Sequence, residues 1–563
     1  MDGASAPRVF YDPRGDGDAQ ADILGGGYYD PLFPLIPPAD RVGQIELLTT
    51  VLRRYFGKRP RGAWLNASAW EPGLISSFCT CGIEYVLLDK LMLETSGYPG
   101  VDGNAPVTIE DNGKTITAGE VVAPERLSPK SFFDEIRGSS GTGGERQIVI
   151  FIGQDSIAPV FSQENGEPSW IESLLALVRA PDSGIEPSTT GRVLKARACW
   201  RRAYISAGMS PYEFNDLAIP DDIRILARTT AKHFLAKSAN SMNLYAKMMY
   251  VHTLVNQLRG DKSRKKNARE ELWLAQNNEA FRSGMTDDSA HMRTVRQITY
   301  RNLINAEKST RLRGVFSPSI NTFDFDMDGL KEYLSQLERY NMYVHLRGGR
   351  VFEFDVFDAA RNFCDMEIPG TVAGLFIDHF ITSEDLPALR SGTFRESRPV
   401  FANSLYQDLS VDPFRQEINL KANGLFGAFQ QPLSLRKQYS FRNEGIQVQY
   451  ILKNESPLNL SGIFMIELDL LVSEHRGRKP GLAVYARDFR KEGPLQTIHE
   501  EDVSWIQIDD AETGVKFTLD ANENPSITVL PVDGEGLRAF LWWKAELSPN
   551  YEMEKMVFFK IDT

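Results

Sequence analysis

At 563 residues, with 42% hydrophobic and 25% charged residues, the chain is long enough for roughly two to four globular domains and a large core. A net charge of −12 excludes a basic face spread over the whole surface, so nucleic acid is not an expected partner. The four cysteines, Cys79, Cys81, Cys199 and Cys364, make neither a disulfide framework nor a two-pair zinc set, which points to reduced thiols in a cytoplasmic protein.

The opening MDGASAPRVFYDPRGDGDAQ lacks a basic segment followed by an apolar one, so no export signal is expected, and residues 1–24 read as a poorly ordered arm. RVGQIELLTTVLRRYFG (41–57) carries Val42, Ile45, Leu48, Leu52 and Tyr55 at helical spacing, with Gly57 as its stop. A short strand GAWL, a helix over PGLISSFCTCG and a buried strand EYVLLD (84–89) follow. This β-α-β order predicts an α/β layer or barrel with a mostly parallel sheet. IVIFI (148–152) is a further buried strand, and strand-sized runs of this kind are far too short to span a membrane.

From Pro220 to about residue 313 the pattern turns helical. DDIRILARTTAKHFLAKSANSMNLYAKMMYVHTLVNQL reads as a long helical stretch broken near Ser238–Ser241. RGDKSRKKN (259–267) reads as a solvated turn, and HMRTVRQITYRNLINAEK (291–308) as an amphipathic helix. After Ser317 the chain becomes β-rich. Segments at 343–356, 447–454, 462–473, 516–521 and 539–547 alternate like strands of a sandwich.

Several motifs resemble sites and fail on chemistry. DFDMDG places Asp324, Asp326, Asp328 and Gly329 at positions one, three, five and six of a calcium loop. Position twelve is Ser335 rather than a bidentate acid, and GLKEYLSQL looks like a helix, so calcium is rejected and no metal or cofactor is expected. GSSGTGG (138–144) lacks the Lys-Ser/Thr end of a phosphate loop. All seven histidines lie beyond residue 232, so chemistry in the α/β layer has to rest on carboxylates.

In this order the segments resemble glycoside hydrolase family 57, in its 4-α-glucanotransferase and α-amylase branch. GGGYYDPLFPLIPPADRVGQI (25–45) is similar to the family's GGFYEP…IPxxDRxxQI segment, and RPRGAWLNASAWEPGLISSFCTCGIEYVLLD (59–89) to its RGxWLTERVWEP…GIxYV segment. ELWLAQNNEAF (271–281), GGRVFEFDV, LFIDHFIT (375–382) and FMIELDLLVS also have family counterparts. The resemblance implies an incomplete (β/α)7-type barrel over residues 25–219, lacking the first, histidine-bearing strand. It implies a helical domain at 220–316 and a C-terminal β-sandwich at 317–563.

The family retains anomeric configuration with two carboxylates about 5–5.5 Å apart, a nucleophile and an acid/base. Aligning Trp64 and Trp70 with the tryptophans of WLTERVWE puts Ala67 where the nucleophilic glutamate belongs, with Asn66 and Ser68 pointing elsewhere if the strand alternates. The acid position falls on Gly153 or Gln154, with Asp155 out of register. Losing the nucleophile alone removes most of such an enzyme's rate. The resemblance therefore implies a degenerate, inactive relative that serves α-glucan metabolism by binding glucan or a protein.

Trp64, Trp70, Tyr28, Tyr29 and Phe281 would stack on sugar; Gln276 and Asn278 are retained, and Asp30 stands in place of the family's glutamate, as further expected substrate-binding residues. The alternative is an active transferase or amylase with Asp155 as acid and Glu71 or Asp89 as nucleophile. A third reading is a structural subunit whose open barrel edge is covered by a partner or a second copy. Expected partners are α-glucan oligosaccharide or glycogen and a protein partner or homo-oligomer, without membrane.

Overall fold

Short apolar runs separated by Gly/Pro stops produce three parallel strands joined by helices. In the computed structural model, which describes residues 22–96, 106–122, 128–138, 149–150, 168–185, 188–191, 202–210, 229–282, 289–311, 314–368, 373–395, 399–487, 489–532, 534 and 536–563, these are β1 (Leu24–Gly25), α1 (Pro38–Phe56), β2 (Gly62–Trp64), α2 (Leu74–Thr80) and β3 (Tyr85–Asp89). Gly57 ends α1 in the left-handed conformation at φ 76°, its N–H reaching the Arg53 carbonyl. At Gly62 a Cβ would lie 2.1 Å from the Tyr85 ring, so the β2–β3 contact requires glycine.

The chain forms two compact units, residues 1–238 with 276–292, and residues 239–275 with 293–563. In the first, β1, β2 and β3 run parallel in that order, followed by Lys114–Val122, Val107–Asp111 and Arg202–Ala203. Val149–Ile150, from the expected IVIFI strand, pairs in parallel with Val121–Val122. Among the described residues this sheet is open and does not close into a barrel.

The second unit holds Ala239–Gln257, Lys262–Leu274 and most of Ser289–Thr310, so the helices expected over 220–316 are divided between the two units. RGDKSRKKN is not a turn: Asp261 caps Lys262–Leu274 by accepting the Arg264 N–H, and the lysines lie in the first turns of that helix. The rest of the unit is an antiparallel β-sandwich, with ten- and nine-stranded sheets among the described residues. Phe354, Phe464 and Leu541 from one sheet and Tyr439, Phe517 and Phe559 from the other meet in its core. No described helix is long and apolar enough to cross a membrane.

GLKEYLSQL, expected as a helix, contains the strand Glu332–Gln336, paired with Ser319–Phe323 and Tyr340–His345. All five of its residues are buried, so sheet pairing satisfies their backbone groups where an isolated short helix would gain little.

Candidate functional site

The stretch Trp64–Glu71 is a strand end followed by a strained turn. Trp64 closes β2, and Asn66–Ser68 form a single 3-10 turn instead of the expected alternating strand. Ala67 (φ 55°) and Ser68 (φ 47°) are both left-handed, which costs an L-residue roughly 1–2 kcal/mol each. The Ser68 N–H donates to Leu65 (3.0 Å), the Ala69 N–H to Asn66 (2.9 Å) and the Ser210 N–H to the Ala67 carbonyl (2.8 Å). Ala67 is 6% exposed. Strain of this kind collects where a fold must aim a particular side chain.

The GGGYYD loop packs its polar atoms beside this turn. Asp30, itself left-handed at φ 52°, accepts from Asn66 Nδ2 at 2.6 Å and from Asn278 Nδ2 at 3.2 Å. Gln276 donates to Asp40 Oδ2 (2.7 Å) and accepts from Gln44 Nε2 (2.9 Å), while Gln44 Oε1 accepts the Tyr29 N–H (3.1 Å). The fold thus brings Tyr29, Asp30, Gln276 and Asn278 together through the polar face of α1. That helix buries Asp40, Arg41 and Gln44, while Tyr55 of its expected apolar stripe is exposed.

The two described candidate carboxylates, Glu71 and Asp89, each have a structural partner. Glu71 Oε1 lies 2.6 Å from Arg41 Nη2, and Arg41 Nε donates to the Ile36 carbonyl at 2.8 Å. Asp89 is buried at the end of β3, where Oδ1 caps the next helix through the Leu91 N–H (2.8 Å) and Oδ2 accepts from Ser210 Oγ (2.9 Å). Ser210 therefore links Asp89 to the Ala67 turn.

The aromatic residues divide by burial. Trp70 is 1% exposed, bridged to Gly208, with its indole N–H on the Ile205 carbonyl (3.3 Å), and Phe281 is also 1% exposed. Both were expected as stacking platforms, and both have their ring faces covered. Trp64 is half-buried against Leu24, Tyr85, Leu87 and Val121. Tyr28 is 40% exposed and edge-on to Tyr29 at 4.8 Å, so it presents the widest free aromatic surface of the set.

The sequence profile of Glycosyl hydrolase family 57 matches residues 15–120. The α-amylase/4-α-glucanotransferase middle-domain profile matches 230–310, and the corresponding C-terminal profile 372–534. The chain is a relative of glycosyl hydrolase family 57. It is similar to α-amylase 1 of Dictyoglomus thermophilum, 24% identical over 530 residues covering 81% of this chain and 75% of that protein. It is also similar to the 4-α-glucanotransferase of Thermococcus kodakarensis, 24% identical over 62% of this chain and 55% of that protein. The crystal structure of 4-α-glucanotransferase from Thermococcus litoralis superposes with a TM-score of 0.75 at 19% identity, covering 96% of this chain and 88% of that one. This likeness establishes the shared fold.

Within this family frame the expected acid position, Gly153 or Gln154, and Asp155 lie outside the described residues. Asp40, Arg41 and Gln44 lie in IPPADRVGQI, where helical periodicity assigns polar residues to the solvent face, so the pattern does not mark them. Nothing in the sequence pattern marks Ser210, whose role depends on a chain crossing 121 residues away from Asp89.

Proposed function

We propose that this protein is a degenerate relative of the 4-α-glucanotransferases and α-amylases that binds α-glucan in glycogen or maltodextrin metabolism without transferring glycosyl units. The observation that carries this reading is the side chain at position 67. The strained turn that holds it has the cost of an aiming device, and it presents a methyl group, which has no lone pair to form a glycosyl ester. Glu71 and Asp89 do not favour a relocated nucleophile, because Arg41 holds one and Ser210 and a helix cap hold the other. The names of the relatives, α-amylase and 4-α-glucanotransferase, point to α-glucan as the ligand class. Tyr28 supplies a ring face for the C–H face of a sugar. The thiols of Cys79, Cys81 and Cys364 are free, which suits a cytoplasmic setting.

Incubation with maltotriose separates loss of transfer from its retention. No glucose and no longer oligomers are expected, and disproportionation by the wild-type protein would overturn the proposal. Electrophoresis in a glycogen-containing native gel is expected to retard the wild type, and Tyr28→Ala less. Mobility that ignores glycogen would remove the binding half of the reading.

A further inference from the structure

The acidic loop before the strand Glu332–Gln336 is wound tightly on its own backbone. Asp324 Oδ2 accepts the Gly329 N–H at 3.1 Å, Asp326 Oδ1 the Asp328 N–H at 3.1 Å, and Asp328 Oδ1 the Leu330 N–H at 2.8 Å. With Oδ1 of Asp326 and Asp328 used in this way, Oδ2 of each turns inward. The antiparallel pairing of Glu332–Gln336 with Tyr340–His345 sets Glu332 directly opposite His345. His345 Nε2 therefore lies 3.4 Å from Asp326 Oδ2, 3.3 Å from Asp328 Oδ2 and 3.8 Å from Glu332 Oε1. One donor atom from each of the four residues lies within 4.8 Å of all the others. Carboxylate oxygens within that limit can share one cation with metal–oxygen bonds of about 2.4 Å.

Glu332 supplies an independent sign of a missing ligand. It is 0% exposed, Oε2 accepts the Phe325 N–H at 2.6 Å, and Oε1 is buried without a hydrogen-bond donor. A buried carboxylate oxygen without a partner is costly, and native folds retain few of them. A bound cation gives Oε1 its partner and offsets the mutual repulsion of the three acids.

His345 narrows the choice of cation. Its Nδ1 accepts the Arg347 N–H at 2.9 Å, so by this hydrogen bond the ring proton belongs on Nε2, facing the carboxylates. Nε2 then has no lone pair for a metal, and the ligand set consists of oxygens, which suits a hard ion over Zn2+. We propose that Asp326, Asp328 and Glu332 bind one Ca2+ ion, with the His345 Nε2–H hydrogen-bonding to their carboxylates. The ion pins the connection between the strands Ser319–Phe323 and Glu332–Gln336 at the start of the sandwich. A helix-flanked calcium loop takes its bidentate acid from position twelve, which is Ser335 in this chain. The fold instead supplies position nine, Glu332, because the segment is a strand.

Calorimetric titration of chelator-treated full-length protein with CaCl2 is expected to give one bound ion per chain. Tm is expected to rise by roughly 3–6 °C at about a hundredfold excess over Kd. Asp326→Asn and Glu332→Gln should each weaken binding by about tenfold or more. Glu332→Gln removes a buried charge, so its Ca2+-free form should melt no lower than the wild type, which separates lost binding from lost folding. His345→Gln keeps an N–H donor and should retain the Ca2+ response. No heat and no Tm change at millimolar Ca2+ would overturn the proposal, as would undiminished binding by both acid variants. A Zn2+ response abolished by His345→Gln, with no Ca2+ response, would overturn the oxygen ligand set.

Discussion

The turn around Ala67 and the loop around Asp326 are built from the same local materials and end in opposite states. Each carries residues of positive φ, Ala67 and Ser68 in one and Met327 and Gly329 in the other; backbone hydrogen bonds close the first turn, and aspartate side chains on their own backbone close the second. Among the described residues of the Ala67 region, four carboxylates each meet a donor: Asp30 from Asn66 and Asn278, Asp40 from Gln276, Glu71 from Arg41, Asp89 from Ser210. Beside Asp326 three carboxylates face each other, and Glu332 Oε1 has no donor. Polar groups that satisfy each other hold a loop in place; polar groups that converge without satisfaction mark a place for a ligand. A third arrangement, in the second unit, shows the protein supplying the cation itself. Lys247 Nζ lies 2.7 Å from Glu307 Oε2 and 2.6 Å from Asp355 Oδ2, all three side chains fully buried.

The largest effect that tests this contrast comes from removing that internal cation. Lys247→Met should cost about 3–5 kcal/mol in denaturant unfolding, because two buried carboxylates lose their counter-charge. A loss below about 1 kcal/mol would break the parallel between the lysine and the proposed ion. Acid titration of stability adds a second readout. Burial raises the Glu307 carboxyl, but Lys247 and Arg311 outweigh it and hold the group at about 2 against an ordinary 4.5. A carboxyl held low stabilises fully above its unfolded value and loses that contribution as the pH falls from 4.5 towards 2. Wild-type stability should therefore decline across that window, and Lys247→Met less steeply.

An intermediate effect is expected at Gln276. Gln276→Leu removes the donor to Asp40 and the acceptor for Gln44 in a fully buried position, and should cost roughly 1–3 kcal/mol. An unchanged urea midpoint would mean that the polar face of α1 does not hold the GGGYYD loop. The smallest effect concerns the turn itself. Ala67→Gly relieves a left-handed Cβ and should stabilise by up to about 1 kcal/mol, less the extra freedom it gives the unfolded chain. A destabilised variant would show that the methyl's packing outweighs the strain.

The strand pattern was legible wherever burial follows the residue run: EYVLLD became the fully buried β3, and GIFMIELDL became Leu460–Leu470. It failed where polar residues do the packing. In α1 the periodicity pointed at Tyr55, which is exposed, while Asp40, Arg41 and Gln44 are buried because partners from residues 29, 71 and 276 reach them. Trp70 and Phe281 looked like platforms because aromatic residues near a site suit sugars, but composition carries no information on which ring face stays open.

The sequence by itself determined the ancestry and the α/β-then-β order, since turn chemistry and hydrophobic period are local properties written residue by residue. It also determined that position 67 carries a methyl where the family resemblance places a carboxylate. Only the tertiary structure decided what surrounds the remaining acids. Whether Asp89 meets Ser210, whether Glu71 meets Arg41, and whether Glu332 stands opposite His345 all depend on pairings between distant segments. Strand register, in which a one-residue slip turns every side chain to the other face, is set by the packed core and is not written in any one segment.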